Sequence, residues 1–235
     1  MAVALITGAS RGLGRALAEE LADWGWSLVI DGRDADVLAA AAASMRQRLG
    51  DAGSIIAIAG DVASERHRTE LVAAVTQLGR LDLLVNNAST LGRSPLVRLE
   101  GFGLDDLRRV HEVNVLAPLA LVQSLLPLLR AGPRPTVMNL SSDAAVEHFD
   151  TWGAYGSSKA TLDHLTATLG VELPSVRFLA VDPGDMRTAM HQEAFPGEDI
   201  SDRPLPETVV PAFLALIQGD FTNGRYRAAE IAGER

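Results

Sequence analysis

The stretch Val3-Ala4-Leu5-Ile6-Thr7-Gly8-Ala9-Ser10-Arg11-Gly12-Leu13-Gly14 decides how this chain is read. Four consecutive apolar residues suit a strand buried on both faces. The glycines that follow permit a tight turn and let a pyrophosphate approach backbone N–H groups. A helical pattern, Arg15–Asp23, begins directly afterwards. The spacing is Gly-x3-Gly-x-Gly, not the Gly-x-Gly-x-x-Gly of the commonest dinucleotide fingerprint. No Gly-Lys-Ser/Thr follows, so it is not a P-loop either. A glycine turn without a ligand is the bland alternative, and the setting between a first strand and an amphipathic helix speaks against it.

The same alternation continues along the chain. Apolar runs at Val3–Thr7, Ser27–Ile30, Ile55–Ala59, Leu83–Asn86, Thr136–Leu140 and Arg177–Val181 read as strands. Amphipathic stretches at Arg15–Asp23, Ala35–Leu49, Glu65–Gln77, Leu104–Leu129, Tyr155–Val171 and Pro206–Gln218 read as helices. Strands this apolar, separated by helices, imply an α/β fold: a parallel sheet with right-handed crossovers placing helices on both faces. No linker or repeat divides residues 1–235, so a single domain is expected. The exception is residues 185–206, which carry Pro196, Gly197, Pro204 and Pro206 with little periodicity. A loop of that length in a compact domain is expected to be a substrate loop or lid.

Composition narrows the function classes. Hydrophobic residues make up 47% and charged residues 22%, as in ordinary soluble proteins. A net charge of −9 and a pI near 5.0 argue against nucleic acid and against anionic membrane surfaces as partners. The absence of cysteine removes disulfides, thiolate metal sites and a cysteine nucleophile, which fits a cytoplasmic location. The longest uncharged run, Val113 to Leu129, is broken by Asn114, Pro118, Gln123, Ser124 and Pro127, and reads as a buried helix rather than a membrane span.

Tyr155-Gly156-Ser157-Ser158-Lys159 places a phenol and an ammonium on one side of a helix. A lysine beside a tyrosine, near a bound cation, would favour the phenolate and suit proton exchange with an alcohol or ketone. An exposed pair on a solvated helix face is the plain alternative.

Together these pieces make a pattern. Thr7–Gly14, Asn86-Asn87-Ala88, Asn114, Ser142, Tyr155-x3-Lys159 and Pro183-Gly184-x3-Thr188 stand in the order and spacing of the short-chain dehydrogenase/reductase family, which the chain resembles from Ala2 to about Thr188. The resemblance implies a single doubly wound Rossmann-type domain with a mostly parallel seven-stranded sheet, its last strand near Arg225–Ala228. It also implies a nicotinamide cofactor and hydride transfer at a carbonyl or carbinol carbon. By the same resemblance Gly8, Ser10, Arg11, Gly12, Leu13 and Gly14 hold the pyrophosphate, and Asp61 and Val62 meet adenine. Asn87 and Ala88 line the adenosine side, while Pro183, Gly184, Met186 and Thr188 flank the nicotinamide. Ser142, thirteen residues before Tyr155, orients the substrate oxygen. Tyr155 exchanges the proton, Lys159 lowers its pKa and bonds the ribose, and Asn114 holds a water that links Lys159 to solvent. Without the resemblance, Asp61 would cap the next helix and Asn114 would make a helix-packing bond. Ser89 and Ala145 depart from the family, which commonly has glycine at both positions.

NADP(H) is the expected cofactor, with NAD(H) possible. Strand two ends Ile30-Asp31-Gly32-Arg33: Gly32 stands where NAD-preferring relatives carry an acid, and Arg33 and Arg11 offer bases for a 2′-phosphate. Asp31 complicates this, since a one-residue shift would bring a carboxylate towards the ribose. The substrate is expected to be a small carbonyl or alcohol in a pocket bounded by Leu91, Asp143–Phe149, Trp152 and Met186–Phe195. No residues have metal-ligand spacing, and a homodimer or homotetramer follows from the resemblance alone. A non-catalytic cofactor sensor or scaffold, or an epimerase or lyase that retains NAD, are the rival functions. The sensor reading is weakened because Ser142, Tyr155 and Lys159 are all kept.

Overall fold

The computed structural model describes residues 1–232; the last three residues of the expected 1–235 domain lie outside the described residues. The strands are β1 (Val3–Ile6), β2 (Ser27–Gly32), β3 (Ile55–Ala59), β4 (Leu83–Asn86), β5 (Thr136–Leu140), β6 (Arg177–Asp182) and β7 (Gly224–Arg227). The helices are α1 (Gly12–Asp23), α2 (Ala35–Leu49), α3 (Glu65–Leu78), α4 (Leu104–His111), α5 (Ala117–Arg130), α6 (Gly153–Glu172), α7 (Ala189–Ala194), α8 (Val210–Gln218) and α9 (Ala228–Ala232). All strand pairings are parallel, in the order β3-β2-β1-β4-β5-β6-β7. The chain winds outward from β1 to β3, returns to β4, and winds outward again to β7. The reversal opens a crevice at the carboxyl ends of β1 and β4, where such sheets take ligands.

Period-two side-chain placement explains why so few polar residues occur in the strands. Ala4, Ile6, Leu28, Ile30, Val85 and Met138 face one layer, with Leu17 and Leu21 of α1, Met45 of α2 and Phe213 of α8. Val3, Leu5, Val29, Leu84, Val137 and Phe178 face the other, with Leu71 and Val75 of α3 and Leu121 and Leu125 of α5. Both faces are therefore dry, and each strand must be apolar throughout.

Leu104–Arg130 forms one helix long and apolar enough by length and composition to span a membrane, yet half of its most apolar window is buried within the domain. Val113, Ala117, Leu121, Leu125 and Leu129 supply that buried face. This continuous helix carries a π turn, Glu112–Leu116, centred on Asn114. Such wide turns concentrate at functional sites. The expected helix Pro206–Gln218 is divided into a 3-10 turn, Pro206–Thr208, and α8, which takes Pro211 in its first turn. Residues 185–206 are more ordered than an aperiodic loop: they contain α7, and Arg187 N–H donates to the Pro204 carbonyl at 2.8 Å.

Candidate active site

A cleft of about 630 Å³ runs across the carboxyl ends of the strands. Of the sequence-predicted cofactor residues, Gly8, Ser10, Arg11, Gly12, Leu13, Arg33, Asp61, Val62, Asn87, Ala88, Tyr155, Lys159, Pro183, Gly184, Met186 and Thr188 line it, and Gly14 does not. At the β1–α1 junction, Gly8 and Gly12 hold φ of 67° and 58°, a region that penalises any side chain. A Cβ on Gly14 would lie 2.7 Å from the Gly8 carbonyl and collide with the Asn87 amide, so only glycine lets the helix start so close to the sheet. Asn87 holds this turn: its Nδ2 donates to the carbonyls of Thr7 at 2.8 Å and Gly8 at 3.1 Å. Its carboxamide is thus turned under the glycine loop.

The start of α1 tests whether a dinucleotide fits. First-turn N–H groups of a helix have no internal partner, and no side chain caps this one. Uncapped donors beside exposed Arg11 make an anion site suited to a pyrophosphate. The residues present therefore fit a dinucleotide.

At the end of β2, Asp31 is tied into the fold. This carboxylate is buried, accepts from Gly8 N–H at 2.6 Å and meets His67 Nε2 at 3.0 Å. Both its oxygens are thus engaged, although it lines the cleft beside exposed Arg33. Asp61 does not cap α3, whose N-cap is Ser64. Its Oδ1 accepts from Ala63 N–H at 3.0 Å in the turn before α3, its other oxygen pairs with Arg109, and it still lines the cleft. Burial works to raise this carboxyl, but the Ala63 N–H and the Arg109 guanidinium outweigh it and hold it below the usual range.

The catalytic candidates converge where β5 meets α6. Buried positions Tyr155, Ser158, Lys159, Leu162 and Thr166 trace one helical face. A Cβ on Gly156 would lie 2.6 Å from the Ala144 carbonyl, so α6 sits directly against the turn carrying Ser142. Lys159 Nζ donates to the Leu140 carbonyl at 2.7 Å and lies 5.5 Å from the centre of the Tyr155 ring. Burial pulls the Lys159 ammonium down to about 8, against the opposing pull of Asp163.

The Tyr155 phenol departs from expectation. Burial pushes it well above its ordinary value; hydrogen bonding with Ser142 and Ser89 works against that, and Asp143 and Asp182 add to it. The chain's own residues thus hold the phenol protonated, and Lys159 does not overcome its desolvation. Asn114 is equally specific. Its Oδ1 accepts from Thr90 N–H at 2.9 Å and Ser89 Oγ at 3.1 Å, and its Nδ2 donates to the Thr90 carbonyl at 3.0 Å and Ser158 Oγ at 2.9 Å. That is the full capacity of a carboxamide. The Asn114 side chain therefore staples the loop after β4 to α6, and a relay water would have to use its backbone carbonyl.

Several contributors were not singled out from sequence. Ser89, seen only as a replaced glycine, bonds Asn114 and lies against the Tyr155 hydroxyl. Ser141 donates to Asp163 at 2.7 Å. Arg225 on β7 donates to the Ser142 carbonyl at 2.9 Å, to Asp163 at 3.1 Å and to Asp182 at 3.0 Å, while Asp182 accepts from Gly184 N–H at 3.0 Å. One guanidinium thus joins the serine turn, the tyrosine helix and the Pro183-Gly184 turn. Alternating Gly-Arg-Tyr-Arg on a weak edge strand was the only available signal.

The substrate end is narrower than expected. Leu91, Asp143, Trp152, Met190 and His191 line it, and Trp152 stacks edge-on against Tyr155 with centroids 5.6 Å apart. Glu147 and His148 are exposed outside the cleft, and Phe149 borders a separate shallow groove. Thr188 caps α7, its Oγ1 accepting from His191 N–H at 3.2 Å, which leaves the hydroxyl proton available to the cleft.

An uncapped glycine turn at the switch point, continuous with a Ser–Tyr–Lys group, defines a nicotinamide-dependent oxidoreductase of the Rossmann type. Comparison with known proteins agrees. Residues 2–199 match the family model for short chain dehydrogenases. The chain is 35% identical to sepiapterin reductase of Rattus norvegicus over 211 residues, covering 82% of this chain and 77% of that one. A short-chain dehydrogenase structure from Pseudomonas syringae superposes with a TM-score of 0.89 at 33% identity, covering 97% and 94% of the two chains. Another from Shigella flexneri, solved with NADP, gives 0.88 at 27% identity and covers 97% of each. The chain belongs to the short-chain dehydrogenase/reductase family.

Proposed function

We propose that this oxidoreductase uses NADP(H) and interconverts a carbonyl and a secondary alcohol in a small amphipathic substrate, with Tyr155 as general acid/base. The observation that carries the reading is the convergence of Tyr155, Ser142 and Lys159 on the cleft that the glycine turn opens. The bound nicotinamide would supply or accept the hydride and bring the positive charge that favours phenolate. In reduction Tyr155 Oη gives its proton to the substrate oxygen, and Ser142 Oγ orients that oxygen and shares its developing charge. Lys159, fixed on the Leu140 carbonyl, holds a positive charge beneath the ring.

Arg33 and Arg11 border the cleft, while both oxygens of the neighbouring Asp31 are engaged by Gly8 N–H and His67, which supports a 2′-phosphate. The short-chain dehydrogenase structures solved with NADP and NADPH agree with that choice. A cytoplasmic homodimer or homotetramer, built on the long α4–α5 and α6 helices, completes the proposal.

Fluorescence titration with NADPH and NADH, then a carbonyl panel followed by nicotinamide absorbance, tests it. Tyr155→Phe is expected to bind NADPH nearly normally and to lose turnover by roughly 100- to 10,000-fold. Retained turnover would remove Tyr155 from the mechanism.

A further inference from the structure

Two buried titratable groups, Asp31 and His67, lie at the adenosine end of the cleft and take no part in the chemistry above. Asp31, the residue before the last of β2, has 2% of its surface exposed, and His67 in the first turn of α3 has 4%. One Asp31 oxygen accepts from Gly8 N–H at 2.6 Å and the other meets His67 Nε2 at 3.0 Å. The Asp31 backbone carbonyl accepts from Ala9 N–H at 2.9 Å. Both carboxylate oxygens are therefore held beneath the glycine turn, although Asp31 still borders the cleft between that turn and Arg33.

His67 is wedged in place. A Cβ on Gly60 would collide with its ring, so glycine at that position is what admits the imidazole. Gly60 N–H donates to the Gly32 carbonyl at 3.0 Å, locking β3 to β2 beside the pair. The ring's Nδ1 is buried with no hydrogen-bond partner among the described residues. That is an uncompensated polar atom, which burial normally selects against. It persists where Nε2 does something the fold needs.

We infer that His67 is a specificity-determining positioning residue: by holding the Asp31 carboxylate inward, it keeps negative charge from the ribose edge and leaves Arg33 and Arg11 to select a 2′-phosphate. A carboxylate released from His67 and turned into the cleft would accept from a 2′-hydroxyl and repel a 2′-phosphate. Without the imidazole, the residue before Gly32 would act as an NAD-type acid. The inference rests on the cofactor reading above, but its test does not depend on which cofactor the native protein prefers.

The experiment is a pair of fluorescence titrations, NADPH and NADH, on the native chain, His67→Phe and His67→Gln. Phe keeps ring volume without a donor; Gln restores an N–H at similar reach. In His67→Phe the NADPH-to-NADH affinity ratio is expected to fall by about tenfold or more, and in His67→Gln to stay near native. The double variant His67→Phe/Asp31→Asn should regain most of the native ratio, because the freed charge is what disfavours NADPH. Equal weakening of both cofactors in His67→Phe would mean a purely structural role and overturn the inference. If His67→Phe does not fold, Asp31→Asn decides: a ratio within about threefold of native agrees with a carboxylate already withdrawn, and a tenfold gain for NADPH overturns it. Native preference for NADH would refute the cofactor reading, while the change on His67→Phe would still judge the role of His67.

Discussion

At the residue scale, burial shifts two groups of the site in opposite directions. Tyr155 stays a phenol and Lys159 sits near 8, so the tyrosine is prepared to donate while the lysine is close to losing its charge. Desolvation disfavours the charged form of each. The pH profile of kcat/KM for reduction should therefore fall on the alkaline side near pH 8, as Lys159 neutralises. Lys159→Arg, charged throughout, should move that fall upward; an unmoved limb would assign it elsewhere. Linkage gives a second sign. The folded-state pKa of Lys159 is depressed, so its contribution disfavours folding below about 8 and is relieved as pH rises towards its ordinary value. These candidates stand out in the sequence because six motifs share one register; Tyr155 and Lys159 by themselves are a modest signal. The direction of the Tyr155 shift was not legible there, since it depends on how much water the folded chain removes.

Among elements, α6 and the turn after β5 act as one unit. Gly156→Ala forces its methyl against the Ala144 backbone, with an expected loss of about 1–3 kcal/mol by denaturant unfolding and a weakened Ser142–Tyr155 contact. Turnover should drop more than cofactor affinity, which is measured at the other end of the cleft. Strand and helix positions followed from apolar periodicity, because strands covered on both faces must be continuously apolar. The π turn at Asn114 was beyond that reading. Its cause is a carboxamide drawn to Thr90, Ser89 and Ser158, contacts made across 24 to 44 residues. α7 was likewise hidden, being a six-residue helix started by the Thr188 cap rather than by a hydrophobic stripe.

For the whole molecule, a cofactor that bridges both halves of the sheet should stabilise it as a unit. NADPH at 100 times its Kd is expected to add about 2.7 kcal/mol, read as a raised Tm that depends on cofactor concentration. Exposed Leu104, Leu116 and Val171 lie on the helices proposed to carry the subunit contact. Light scattering should report an oligomer for the native chain and a smaller species for Leu116→Asp paired with Val171→Asp. An unchanged mass would place the contact elsewhere.

Arg225 ties the edge of the sheet to the centre of the site. It arrives on the last strand, yet it neutralises Asp163 and Asp182 and grips the serine turn, all supplied by earlier segments. Without that guanidinium, Asp163, Asp182 and the Ser142 carbonyl would lose the one partner they share, so a change at the sheet edge reaches the serine turn, the tyrosine helix and the Pro183-Gly184 turn together.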